Sequence, residues 1–129
     1  MAKFWAWRAP KIEIGEYEAA LHINNLRYQQ EHNKGLSFDT ISSGGPNAAM
    51  IHYHPTETKT SPITRDMVHL LDSGGQYLDG TTDVTRVFHF GKPSEEEKDS
   101  FTSSKMDDRE IPSGKFREKT WLICPKKEE

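Results

Sequence analysis

The stretch LLDSGGQYLDGTTDVTRVFHFG, residues 70–91, organises the chain. Apolar and β-branched residues alternate through it around a centre rich in Gly and Asp, the pattern of two strands joined by a turn. Each strand carries one aspartate, Asp72 in the first and Asp83 in the second. A buried carboxylate without a partner is costly, so two in one hairpin point to a cation. Hard oxygen donors suit Mg²⁺, Mn²⁺ or Ca²⁺ better than soft metals. The turn decides whether the two can share it. A two-residue turn at Asp79-Gly80 sets Asp72 against Val87 and leaves Asp83 about 13 Å from that level, at roughly 3.3 Å per residue, too far for one centre. A turn centred on Tyr77-Leu78 sets Asp72 directly against Asp83, with Cβ atoms about 5 Å apart. Without a metal, Asp72 reads as a strand-end Asx turn and Asp83 as part of a solvated face.

The segments Asp72-Ser73-Gly74-Gly75-Gln76-Tyr77 and Asp79-Gly80-Thr81-Thr82-Asp83-Val84-Thr85-Arg86 together resemble the signature of the Xaa-Pro aminopeptidases (aminopeptidase P). These are pita-bread metallopeptidases, related to methionine aminopeptidase and creatinase. In that family two aspartates at this separation bind a dinuclear Mn²⁺ centre. The resemblance implies that Asp72 chelates one metal and that Asp83 bridges both. It extends to Ile14-Gly15-Glu16-Tyr17-Glu18-Ala19-Ala20 and to residues 38–53. There it implies that His52, in a His-Tyr pair, lines the active site as a substrate-binding or proton-handling residue, and it assigns no role to His54.

Outward from the hairpin, residues 3–9 (KFWAWRA) resemble the end of a helix, stopped by Pro10. Arg8 stands where the family usually has an apolar residue. Residues 16–32 (EYEAALHINNLRYQQEH) read as a core-packing helix. Gly15 lies at its N-cap, Glu16 and Glu18 suit the positive helix start, and Ala19, Ala20, Ile23 and Leu26 form its apolar stripe. Asn33-Lys34-Gly35 offers a left-handed-tolerant end. Residues 36–41 read as a strand, 42–47 as a turn cluster, and 48–54 as a second strand with His52 and His54 on one face. Residues 56–65 read as a polar surface loop. Arg86 has a structural role, its guanidinium pairing with carboxylates or carbonyls. Ser94 and Glu97 form a capping box that opens a helix running to about residue 101.

The length of 129 residues bounds the chain to one domain at most. A net charge of −3 argues against nucleic acid or a membrane surface as partner, and no run approaches a transmembrane span. Residues 1–8 lack an apolar signal core, and the single cysteine, Cys124, excludes an internal disulfide. Both features fit a cytoplasmic protein.

The expected fold is α+β: a partial pita-bread (creatinase/aminopeptidase-like) fold with a curved, mostly antiparallel sheet and one or two covering helices. Residues 1–102 are expected to form part of the catalytic domain. Residues 103–129 have no family match and read as a weakly ordered tail, with 121–124 tucking onto the sheet. The resemblance implies hydrolytic release of an N-terminal residue preceding proline, acting on peptides with penultimate proline. The family site also needs a histidine and two glutamates beyond the matched region, and no histidine follows His89. Three of five expected ligands are therefore absent, and little activity is expected of the chain alone. The alternatives are a non-catalytic peptide- or protein-binding relative of the same fold and a product without activity. Open strand edges make a homo-oligomer possible.

Overall fold

In a computed structural model, residues 2–107 and 122–123 are described. Helices α1 (Ala2–Arg8), α2 (Glu16–Tyr28) and α3 (Glu95–Asp107) accompany nine strands. The strands are β1 (Glu13–Gly15), β2 (Asn33–Leu36), β3 (Ile41–Gly44), β4 (Pro62–Thr64), β5 (Val68–Ser73), β6 (Gly75–Tyr77), β7 (Gly80–Thr81), β8 (Val84–His89) and β9 (Leu122–Ile123). They form three sheets of order β1-β4, β2-β6-β7 and β3-β5-β8-β9, antiparallel except for the β8-β9 pair. This is the α+β, mostly antiparallel architecture expected. Leu122 and Ile123 pair with Phe88 and His89. The rest of the expected tail beyond residue 107 lies outside the described residues.

One apolar cluster holds the elements together: Phe4, Ile14, Ala19, Ile23, Ile63, Leu71, Phe88 and Phe90, with Trp5, Trp7, Leu26 and Met67 packed against it. Helix α1 supplies more of it than its length suggests. Trp5 meets Phe88 edge-on with ring centroids 4.4 Å apart, and Trp7 stacks on His22 at 3.9 Å. Arg8 is fully buried. Its guanidinium donates to the Lys11, Ile63 and Thr64 carbonyls and lies over the Phe90 ring at 4.5 Å, so backbone dipoles and a π face stand in for the apolar neighbour.

Several local expectations are corrected. Helix α2 ends at Tyr28, not residue 32, and the left-handed residue after it is His32 (φ 62°). Residues 33–36 pair with β6 and so belong to a strand rather than a cap. The strand expected over 36–41 is split into β2 and β3. The turn cluster Ser42-Ser43-Gly44 is itself a buried strand, paired with residues 69–71 of β5. Small residues fit there because a Cβ on Gly44 would lie 2.9 Å from Ile63 Cγ1. The strand expected over 48–54 is a 3₁₀ helix (Gly45–Ala49) followed by a turn. Pro46 occupies its first turn and His52 is left-handed (φ 57°), so His52 and His54 do not share a strand face. The loop 56–65 contains β4, whose Ile63 is fully buried. The α3 capping box forms as read: the Ser94 amide donates to Glu97 Oε2 at 2.6 Å and the Glu97 amide donates to Ser94 Oγ at 3.1 Å.

Candidate metal site

The hairpin adopts neither of the two turns weighed from the sequence. Asp72 lies opposite Thr85, Ser73 opposite Val84, Gln76 opposite Thr81 and Tyr77 opposite Gly80. The turn is therefore Leu78-Asp79, halfway between the alternatives. The Leu78 amide donates to the His32 carbonyl at 3.1 Å, and Thr81 Oγ1 donates to Gln76 Oε1 at 2.7 Å, which fixes that choice. By this register Asp83 falls opposite Gly74, one diagonal step from Asp72 and on the same face. Diagonal neighbours stand about 7–8 Å apart, near enough for two carboxylates to face a common cation pair.

The ladder is interrupted between the β5-β8 and β6-β7 segments, at Gly74 and at Thr82-Asp83. A Cβ on Gly74 would lie 2.1 Å from both Ser37 Oγ and the Thr82 carbonyl, so the strands close over a position that only glycine fills. Asp72 is half-buried, and its Oδ1 is shielded from solvent with no hydrogen-bond partner. Such an orphaned carboxylate oxygen fits a cation ligand. Asp83 is exposed. The same face carries half-buried Val68, Leu70 and Val87. Among the described residues, no group of three or more His, Cys, Asp or Glu side chains is arranged to hold a metal ion. The residues present thus fit part of a metal site: two oxygen donors, with further ligands needed to close it.

His52 is exposed and sits outside the hairpin. β3 runs away from Asp72 towards His69, so the segment carrying His52 starts three residues along β5 from Asp72. That segment is anchored by a residue the sequence reading undervalued. Glu16 is fully buried. Its Oε1 accepts from the Gly44 amide (2.8 Å) and Asn47 Nδ2 (3.0 Å), and its Oε2 from the Tyr53 hydroxyl (2.7 Å) and the Ser61 amide (2.9 Å). Burial and this hydrogen bond push the Tyr53 hydroxyl up to about 12. Glu16 therefore grips both ends of the loop containing His52. Its place in the first turn of a helix pointed only to a dipole effect. Arg86 donates to the Thr85 carbonyl at 2.8 Å, a structural contact of the kind expected.

Residues 1–105 match metallopeptidase family M24. The probable Xaa-Pro aminopeptidase P of Neosartorya fischeri is 50% identical over 107 residues, covering 79% of this chain and 16% of that protein. The Paracoccidioides lutzii counterpart is 47% identical over 107 residues, 79% of this chain and 17% of its own length. Among solved structures, the X-prolyl aminopeptidase from Caenorhabditis elegans, a cytosolic enzyme with a di-nuclear active site, aligns with a TM-score of 0.69 at 40% identity over 73% of this chain and 16% of that one. A prolidase from Thermococcus sibiricus aligns with a TM-score of 0.68 at 32% identity, over 83% and 29% respectively. The chain spans about one sixth of the length of these curated relatives. Its partial pita-bread fold and its matched hairpin lead to one conclusion: the chain belongs to metallopeptidase family M24.

Proposed function

We propose that the chain is part of an Xaa-Pro aminopeptidase-type catalytic domain in which Asp72 and Asp83 hold a divalent metal pair. The reaction is hydrolytic release of an N-terminal residue preceding proline, and the substrates are peptides with penultimate proline. The observation that carries this reading is the shielded, unpartnered Asp72 Oδ1 on the hairpin face that also bears Asp83. A bound divalent pair supplies Lewis acidity towards a peptide carbonyl. This chain's own residues have narrower tasks. Asp72 and Asp83 provide hard oxygen donors, for which Mn²⁺ is a suitable ion. Val68, Leu70 and Val87 offer an apolar wall beside them. His52, on its exposed turn, meets substrate or handles a proton.

Two aspartates leave the rest of the coordination sphere unfilled, so the 129-residue chain binds Mn²⁺ weakly and does not hydrolyse peptides alone. Residues 84–87 have no strand on their outer side among the described residues, an edge that supports pairing with a second copy. A cytoplasmic setting suits this reading, and no helix among the described residues is long and apolar enough to cross a membrane.

The test is calorimetric titration of Mn²⁺ into the wild-type chain and into Asp83→Ala, with an Xaa-Pro-Pro peptide assay alongside. Binding heat in the wild type, its loss in the variant, and no cleavage are expected. No heat in either protein removes the metal reading. Metal-dependent cleavage by the pure chain removes the half-site reading.

A further inference from the structure

We propose that Arg27, on helix α2, is the positioning residue that sets Asp83 against Asp72, an inference that rests on the metal reading of that pair. The two aspartates lie on either side of the ladder interruption, where regular strand pairing lapses at residue 74 and residues 82–83 and leaves two isolated backbone bonds, the Thr82 amide to the Gly75 carbonyl and the Ser37 amide to the Gly74 carbonyl. Arg27 spans this gap from the opposite face of the hairpin. Its Nη2 donates to the Ser73 carbonyl (2.7 Å) and Ser73 Oγ (2.9 Å), its Nε donates to Ser73 Oγ (3.3 Å), and its Nη1 donates to Thr82 Oγ1 (3.2 Å). Ser73 directly follows Asp72, and Thr82 directly precedes Asp83. One planar guanidinium therefore bolts together the two chain positions adjoining the two carboxylates.

The fork geometry makes this a task for arginine rather than for positive charge alone. Three prongs reach one strand and one reaches the other, at a fixed spacing that an ammonium cannot reproduce. Thr82 extends the bolt. Its Oγ1 accepts from the Gly75 amide (3.0 Å), its amide donates to the Gly75 carbonyl (2.9 Å), and its carbonyl accepts from Ser37 Oγ (2.9 Å). Removing the guanidinium leaves Ser73 held by the continuous β5-β8 ladder but leaves Thr82 tied, among the described residues, only to Gly75 and Ser37, with no link to the Asp72 strand segment, so the loss falls on Asp83 more than on Asp72.

Two readouts test this in the full chain. The metal-free readout is amide hydrogen exchange at Thr82 and Gly75. In Arg27→Lys and Arg27→Met both amides are expected to exchange about tenfold faster, while Leu71 and Val87 in the β5-β8 ladder keep their wild-type rates. The second readout is Mn²⁺ titration, in which both variants are expected to bind about tenfold more weakly, as when a residue supporting a ligand is lost. Thr82→Val removes the Oγ1 that accepts from Arg27 and from the Gly75 amide. Its readouts are the backbone amide at position 82 and Mn²⁺ affinity, both expected to change as in Arg27→Lys, whereas Thr82→Ser, which keeps the hydroxyl, stays at wild type. Wild-type exchange at Thr82 in Arg27→Lys, or faster exchange spread evenly over the ladder, overturns the positioning role. Wild-type Mn²⁺ affinity in Arg27→Lys overturns its consequence for the metal. Absence of Mn²⁺ binding to the wild type overturns the metal reading instead, and the exchange rates still decide the positioning role.

Discussion

Glu16 concentrates more structural consequence than any other single side chain in the described part of the molecule. Four donors from three separate segments converge on its two oxygens, and none is replaceable by water because the carboxylate is fully buried. Glu16→Gln turns one of the two oxygens into a donor that must face existing donors. Loss of about 2–4 kcal/mol of stability is expected, read from urea unfolding midpoints at neutral pH. A change below about 0.5 kcal/mol would show that the network carries little weight. At this scale the sequence was informative about residue types and poor about partners. The cost of burying carboxylates singles out Asp72 and Asp83 in the sequence; in the fold that cost applies to half-buried Asp72 and not to exposed Asp83. Glu16 looks like no more than a first-turn acid in the sequence because its partners lie 28 to 45 residues away, a separation that local pattern does not encode. The alternation suggests a strand for His52, whereas its φ of 57° puts it in the turn that the Tyr53 amide closes on the Met50 carbonyl at 3.3 Å.

At the scale of elements, helix α2, the central hairpin and the α3 cap were legible because each has a local cause: periodicity, alternation, and a reciprocal Ser-Glu pair. Strand β3 was not. Ser42-Ser43-Gly44 has turn chemistry, and it is a strand only because its backbone pairs with β5 while Ile63 and Met67 crowd its glycine. The hairpin turn lies one residue from each alternative that the sequence allows, since the hydrogen bond from Leu78 to His32 comes from outside the hairpin. Gly74 makes that register vulnerable. With Ser37 Oγ and the Thr82 carbonyl both 2.1 Å from where a Cβ would stand, Gly74→Ala forces the two strands apart. A loss of about 2 kcal/mol or more is expected on thermal or urea unfolding. Weaker Mn²⁺ binding should accompany it, because the displaced strand carries Asp83. Retained stability would mean that the Ser37 side chain simply rotates away and the Thr82 carbonyl yields without cost.

At the largest scale, the described residues pack around one small apolar cluster between α1, α2 and the β5-β8 sheet, and a histidine lies inside it. His69 is fully buried between the Phe4 and Phe88 rings, with Nε2 3.0 Å from Ser42 Oγ and Nδ1 without a partner. Burial, and then the neighbouring positive charge of Arg8, lower its pKa to about 3. An imidazole in the unfolded chain titrates near 6.5. Between those values the unfolded state holds a proton that the folded state refuses, so stability is complete above about pH 6.5 and falls as the pH drops towards 3. The loss between pH 7 and pH 5 should be about 2 kcal/mol. Lowering of the Glu97 pKa by the Ser94 amide belongs to a more acidic window and adds nothing there. His22, also lowered by burial, contributes with the same sign and stays in place when His69 is changed. His69→Gln, which retains a polar group for Ser42, is therefore expected to remove most of the acid slope but not all of it. Urea midpoints for wild type and variant at pH 7, 6 and 5 measure this directly. Parallel slopes would mean that water reaches the imidazole and that the core around Phe4 and Phe88 is looser than its packing implies.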